Sequence, residues 1–138
     1  MPVFPSEAWC AAAVAAVNGD PEAAVAGRGF EGDVACVVDE PRFFAAWCRV
    51  GAGRIREWRV LAGPDEVEEL APDYRARASL ATWRGLLEGT VDPVEAVLEK
   101  RLHVVGDLAP LVQRLRYKGL AGRVLAGLET CFDATGEG

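Results

Sequence analysis

The sequence predicts an α+β fold: a five-stranded, largely antiparallel sheet covered by helices. Three observations predict it. Five short stretches alternate apolar with polar residues or carry β-branched and aromatic side chains. The helical stripes are partly segregated from these stretches along the chain. Short turns join three strands in succession, which a doubly wound parallel sheet does not allow.

The elements follow in order. Residues 6–17 form a helix with Ser6 as N-cap, and Trp9, Ala12, Ala13 and Ala16 on one face. Asn18-Gly19-Asp20-Pro21 ends it, and Pro21 opens a short second helix that stops at Gly27. Residues 33–39 are the first strand, closed by the turn signal Glu40-Pro41. Residues 43–50 are the second and 55–61 the third, with Gly51-Ala52-Gly53 between them. A tight turn there sets Ala46 near Trp58 and Phe44 near Val60. It also puts Phe44, Ala46, Cys48, Trp58 and Val60 on one face. That face is the more apolar and is placed inward. The other carries Phe43, Ala45, Trp47, Arg49, Glu57 and Arg59, and a bulge at the turn would flip one strand. Residues 63–72 read equally as a short acidic helix or a solvated linker.

Residues 74–78 alternate Tyr74, Ala76 and Ala78 with Arg75 and Arg77, a half-buried strand. Ser79 caps a helix with Leu80, Trp83 and Leu87 on one face, and Gly89 closes it. Asp92, Pro93 and Glu95 resemble a capping box for a helix lined by Val94, Val97 and Leu98. Residues 102–105 are the fifth strand. Gly106-Asp107 turns at Leu108 into a helix with Leu111, Val112 and Leu115 inward, and Leu120, Val124 and Leu128 mark a last one.

The 138 residues predict one domain over the whole chain, with 1–3 and 131–138 frayed. The net charge of −6 argues against nucleic acid as a partner, since phosphate recognition wants a basic face. A local basic patch would still permit transient membrane contact, and a homodimer is a further candidate assembly. No secretory signal or spanning segment is legible, so the expected compartment is the cytoplasm.

Candidate chemistry is sparse. No nucleophile motif, phosphate loop or metal-ligand cluster is present, so neither catalytic residues nor a cofactor are expected. Cys10, Cys36, Cys48 and Cys131 form no C-x-x-C pair, and His103 is the single histidine. Cys36 and Cys48 fall on neighbouring strands, where a bridge is conceivable beside the alternative of reduced thiols. His103 reads as structural or surface-exposed; a catalytic role needs a nucleophile within reach. Arg75, Arg77, Arg114, Arg116 and Lys118 are either a solvated face or a cradle for a carboxylate or phosphate. The stripes Leu80/Trp83/Leu87, Val94/Val97/Leu98 and Leu111/Leu115 are ordinary core or the wall of a cavity.

The ordered set over residues 74–107 resembles the sterol carrier protein-2 family. Its marks are the small strand residues Ala76 and Ala78, Trp83 central in a helix, Gly89, Asp92-Pro93, Val97-Leu98, strand 102–105 and Gly106-Asp107. Lys100 departs from the pattern, where members often carry glycine. The resemblance implies an apolar tunnel between sheet and helices and carriage of an apolar lipid: a fatty acid, fatty acyl-CoA, sterol-like or isoprenoid molecule. It implies no catalysis. The lining expected from it is Phe44, Ala46, Trp58, Val60, Ala76, Ala78, Leu80, Trp83, Leu87, Val97, Leu98, Leu111 and Leu115. A dimerisation or docking module for a lipid or quinone biosynthetic enzyme is the alternative.

Overall fold

A computed structural model describes residues 3–106, 130 and 132. Leu111 and Leu115, with the other expectations for residues 107–129, lie outside the described residues.

Chain order is α1 (Glu7–Asn18), α2 (Pro21–Ala26), β1 (Gly32–Val38), β2 (Phe44–Gly51), β3 (Arg54–Leu61), α3 (Pro64–Leu70), β4 (Tyr74–Ala78), α4 (Leu80–Glu88), α5 (Pro93–Leu98) and β5 (His103–Val105). The caps expected at Ser6, Ser79 and Asp92 are present, and Asp20 caps α2 as well. Ser6 accepts from the Trp9 amide, Asp20 from Glu22 and Ala23, Ser79 from Thr82 and Asp92 from Glu95. The sheet order is β3-β2-β1-β4-β5; β1 and β4 run parallel and the other pairs antiparallel.

The β2–β3 register differs from the sequence expectation by two residues. Ala46 pairs with Val60 and Cys48 with Trp58, because the turn is one residue tighter than expected, with Gly51 opposite Arg54, and the ladder shifts by one more at Arg49/Val50. A shift of two preserves the facing, so Phe44, Ala46, Cys48, Trp58 and Val60 still share a face. The turn is crowded from above by α2. A Cβ on Gly53 (φ 76) would stand 2.5 Å from the Ala24 carbonyl oxygen, which leaves room for glycine alone.

Helices cover both faces of the sheet. α3 is a helix rather than a linker. Its Val67 and Leu70 pack on Ala35, Val37, Ala45, Trp47 and Leu61, all alternate positions of β1, β2 and β3. Ion pairs run across this layer: Arg59 to Glu66, Arg75 to Glu68 at 2.9 Å and Arg77 to Asp39 at 2.7 Å. Their partly exposed settings make each worth at most about 1 kcal/mol, so burial of the apolar residues carries this face. The Trp47 ring lies under the guanidinium groups of Arg49 and Arg59, 5.4 and 5.8 Å from its centroid. Its Nε1 donates to Asp33 Oδ2 at 2.8 Å, and Asp33 Oδ1 accepts from the Asp73 amide at 2.8 Å.

On the opposite face, α4 and α5 pack over β4 and β5. Ala78 and Ala96 are fully buried there with Leu102, beside Ala76, Trp83, Leu86, Val97 and Val104. Lys100, between α5 and β5, adopts a left-handed backbone (φ 64). The glycine-like geometry is therefore kept here by a residue with a Cβ, at a cost of roughly 1–2 kcal/mol.

Two outcomes are expected. Lys100→Gly relieves that conformation against a smaller entropic cost of about 0.5–1 kcal/mol, so it should raise the urea midpoint, by up to about 1 kcal/mol of stability. A lowered midpoint would mean that the Lys100 side chain stabilises the turn in another way. Asp33 supplies a pH dependence. Burial alone would raise its carboxyl, but the hydrogen bonds from Trp47, Asp73 and its own backbone outweigh it and hold the group below 3.8. Its contribution is present above the unfolded value and disappears as the pH falls through the folded one. Asp33→Asn should flatten the fall in melting temperature below about pH 4. Identical pH profiles for mutant and wild type would contradict this.

Candidate functional site

α1 rests over β1, β2 and β3 without closing on them, and the gap is a cavity of about 230 Å³. Its origin is legible in the side chains. α1 contributes Cys10, Ala13, Val14 and Val17, and the sheet beneath contributes Val34, Cys36, Val38, Ala46 and Cys48. These are small or medium groups facing one another. The bulk comes from Phe4, Trp9, Phe44, Trp58 and Trp83, with Ile55 and Leu87. Small opposite small leaves space that interiors otherwise fill.

Hydrogen bonds hold this gap open. At the end of α1, Asn18 Nδ2 donates to the Ile55 carbonyl at 3.0 Å, and the Ile55 amide donates to Asn18 Oδ1 at 2.8 Å. The side-chain amide thus pairs with edge strand β3 as a neighbouring strand would. At the start of α1, Trp9 stacks edge-on against Phe4 with ring centres 4.8 Å apart and donates to Thr130 Oγ1 at 2.8 Å. Across the cavity, Trp83 Nε1 donates to the Val37 carbonyl at 2.9 Å, tying α4 to β1. These two indole N–H groups are spent on protein partners, so both rings offer only apolar surface to the cavity.

Three thiols share the cavity: Cys10 from α1, Cys36 from β1 and Cys48 from β2. None of them is in a disulfide. Cys36 is exposed, whereas its β1 neighbours Ala35 and Val37 are buried, because the space it faces is the cavity itself. Burial, with smaller contributions from the neighbouring thiols, pushes Cys36 up to about 12. Burial likewise raises Cys10 and Cys48 to about 11 each, reinforced by Glu7 and by Asp33 respectively. All three are neutral thiols at physiological pH, soft and apolar rather than nucleophilic.

Of the residues expected to line a tunnel, Phe44, Ala46, Trp58, Trp83 and Leu87 lie on this cavity. Val60 shares their sheet face but not the wall. Ala76, Ala78 and Val97 belong to the packed cluster under α4 and α5, and Leu80 is half-buried at the start of α4. Leu98 is 76% exposed, because the six-residue α5 turns Ala96 inward instead. The contribution of α1 and β1 was missed. Its signal was the spacing Trp9, Ala13, Val17 with Cys10 and Val14, muted by the alanines around it. Arg75 and Arg77 project from the sheet face opposite the cavity and are ion-paired there, so they do not cradle an anion at this site. His103 is exposed on β5, opposite Arg77 in the ladder. Among the described residues no group of His, Cys, Asp and Glu is disposed to hold a metal.

The thiols furnish a test. With Cys36 raised from 9.0 to about 12, its thiolate fraction at pH 8 falls roughly 1000-fold against an ordinary thiol. Iodoacetamide should therefore leave Cys36 unmodified in the folded protein while all cysteines react in urea, as read by peptide mass mapping. Labelling of Cys36 at the rate seen in urea would refute the buried assignment.

Solved structures share this fold. A sterol carrier protein 2 crystal structure matches with a TM-score of 0.68 and 25% identity over 88% of this chain and 93% of that one. A conserved protein from Thermus thermophilus, described as a possible sterol carrier protein, matches with a TM-score of 0.72 and 26% identity over 91% of this chain and 90% of its own. A double mutant of a sec-alkyl sulfatase shares the fold alone, with a TM-score of 0.52 and 14% identity over 80% of this chain and 14% of the sulfatase. No family model and no curated protein matches the chain.

Proposed function

We propose that this chain, a sterol carrier protein 2-like domain by fold and sequence likeness, binds and carries an apolar lipid in the cavity beneath α1 without transforming it. The observation that carries this reading is the cavity wall: aromatic rings, aliphatic groups and protonated thiols, with no carboxylate, amine or imidazole among the described lining residues. Such a wall binds by desolvation, at roughly 0.8 kcal/mol per buried methylene. Its described residues do not pair a nucleophile with a base. A nucleophile needs an adjacent base, and the thiols here are held protonated while His103 sits on an exposed edge strand. The ligand classes in view are fatty acyl chains, isoprenoids and sterol-like molecules, and the compartment is the cytoplasm. No helix among the described residues is long and apolar enough to cross a membrane.

A second reading, a docking or dimerisation module of a lipid or quinone biosynthetic enzyme, is favoured by one observation. The same fold makes up 14% of a sec-alkyl sulfatase. Exposed Leu98 and Val105, on α5 and β5, would then be contact residues.

Titration with a fluorescent fatty acid, followed by emission from the tryptophans that line the cavity, tests the carrier reading. Saturation below about 100 μM, roughly 5.5 kcal/mol, is expected. An unsaturable response, together with a lipid-free homodimer in native mass spectrometry, would favour the module instead.

A further inference from the structure

The cavity is small and, among the described residues, has no polar end. An apolar cavity of roughly 150 Å³ stays dry and accepts benzene. At about 230 Å³ this one is half as large again, which corresponds to on the order of nine carbons. A C16 chain or a fused four-ring body exceeds it. The wall also decides polarity. The indole N–H groups of Trp9 and Trp83 are bound to Thr130 and Val37, and the titratable groups among the described lining residues are thiols that stay protonated. A hydroxyl or carboxylate pushed to the far end would find no partner there and bear its full desolvation cost. The ion-paired arginines of β4 project from the other face of the sheet and cannot help.

We infer that the site selects a short, uncharged hydrocarbon segment of about nine carbons, inserted tail first, with any head group left outside. This rests on the carrier reading and narrows it: a longer lipid would place only its terminal segment within.

The test is a chain-length series of primary n-alkanols from C6 to C16, titrated against the intact chain by calorimetry and tryptophan emission. Affinity should tighten about fourfold per carbon, the equivalent of 0.8 kcal/mol per methylene, up to C9 or C10, and then level off. In addition, 1,8-octanediol should bind at least tenfold more weakly than 1-octanol, because its second hydroxyl must enter the wall unpaired. Cys36→Leu adds bulk to the floor and should move the break to shorter chains by about two carbons. If that variant does not fold, Ala46→Val serves the same purpose.

Continued fourfold tightening through C16, or equal binding of diol and alcohol, overturns the length and polarity assignment while leaving the carrier reading standing. A break that stays in place in a folded floor variant puts the bound chain elsewhere and overturns the inference. No saturable binding at any length overturns the carrier reading together with it.

Discussion

One side chain sets the geometry on which the rest depends. Asn18 ends α1 and lends both halves of its amide to the backbone of Ile55, at 3.0 and 2.8 Å. Each bond contributes only about 1 kcal/mol net, yet the position of the pair matters more than its strength. It fixes the end of a helix whose inner face, Cys10, Ala13 and Val14, is too small to reach the sheet by itself. A hydrophobic stripe of leucines in the same place would have collapsed onto β1 and β2. With small residues on both sides, the Asn18 bonds and the packing of Ala16 and Val17 on Ala23 of α2 hold α1 in place, and the space beneath it survives. The same amide caps an otherwise open edge of β3.

The two faces of the sheet solve opposite problems. Under α3, Ala45 and Ala35 are fully buried and Trp47 nearly so, with guanidinium groups over the indole and ion pairs binding the layer together. That face supplies rigidity. Under α1, Val34, Phe44, Ala46 and Cys48 are only half-buried and Cys36 is exposed, because the space they face is the cavity. Apparent exposure thus has a different meaning on the two sides of one sheet. Rigid backing on one face makes tolerable the missing dispersion contacts on the other.

Much of the architecture was legible because its signals are local. Serine and aspartate caps, the proline at the start of α2 and α5, and the alternation of 74–78 each act within a few residues, and the expected bounds fall within a residue or so of those observed. The misreadings arise where distant groups decide. A turn one residue tighter than expected and a one-residue bulge at Arg49/Val50 together moved the β2–β3 register by two, and no feature of the hairpin's own sequence fixes where the extra residue goes. Segment 64–70 is a helix because Val67 finds a pocket over Leu61 and Ala45, and glutamates find arginines from β3 and β4. The site divides the same way. Phe44, Ala46 and Trp58 follow from strand alternation, Trp83 and Leu87 from a helix stripe. The α1 wall was hidden because alanine on every side leaves little contrast between inner and outer faces. Leu98 misled in the other direction: a six-residue helix is too short for its stripe to say which flank is inward.

The Asn18 anchor also has a chemical clock in it. Asparagine followed by glycine is the dipeptide most prone to cyclise through the next backbone nitrogen and hydrolyse to aspartate or isoaspartate. Here the step is held back, because the Gly19 amide is engaged with the Ala15 carbonyl and the Asn18 side chain is engaged with Ile55. Fraying of the last turn of α1 releases both restraints at once. The product cannot return to the same seat: a carboxylate has lost the Nδ2 donor and would face the Ile55 carbonyl with like charge density. Each opening of the cavity roof therefore carries a finite chance of becoming permanent, and the age of a protein molecule would be written in the looseness of α1.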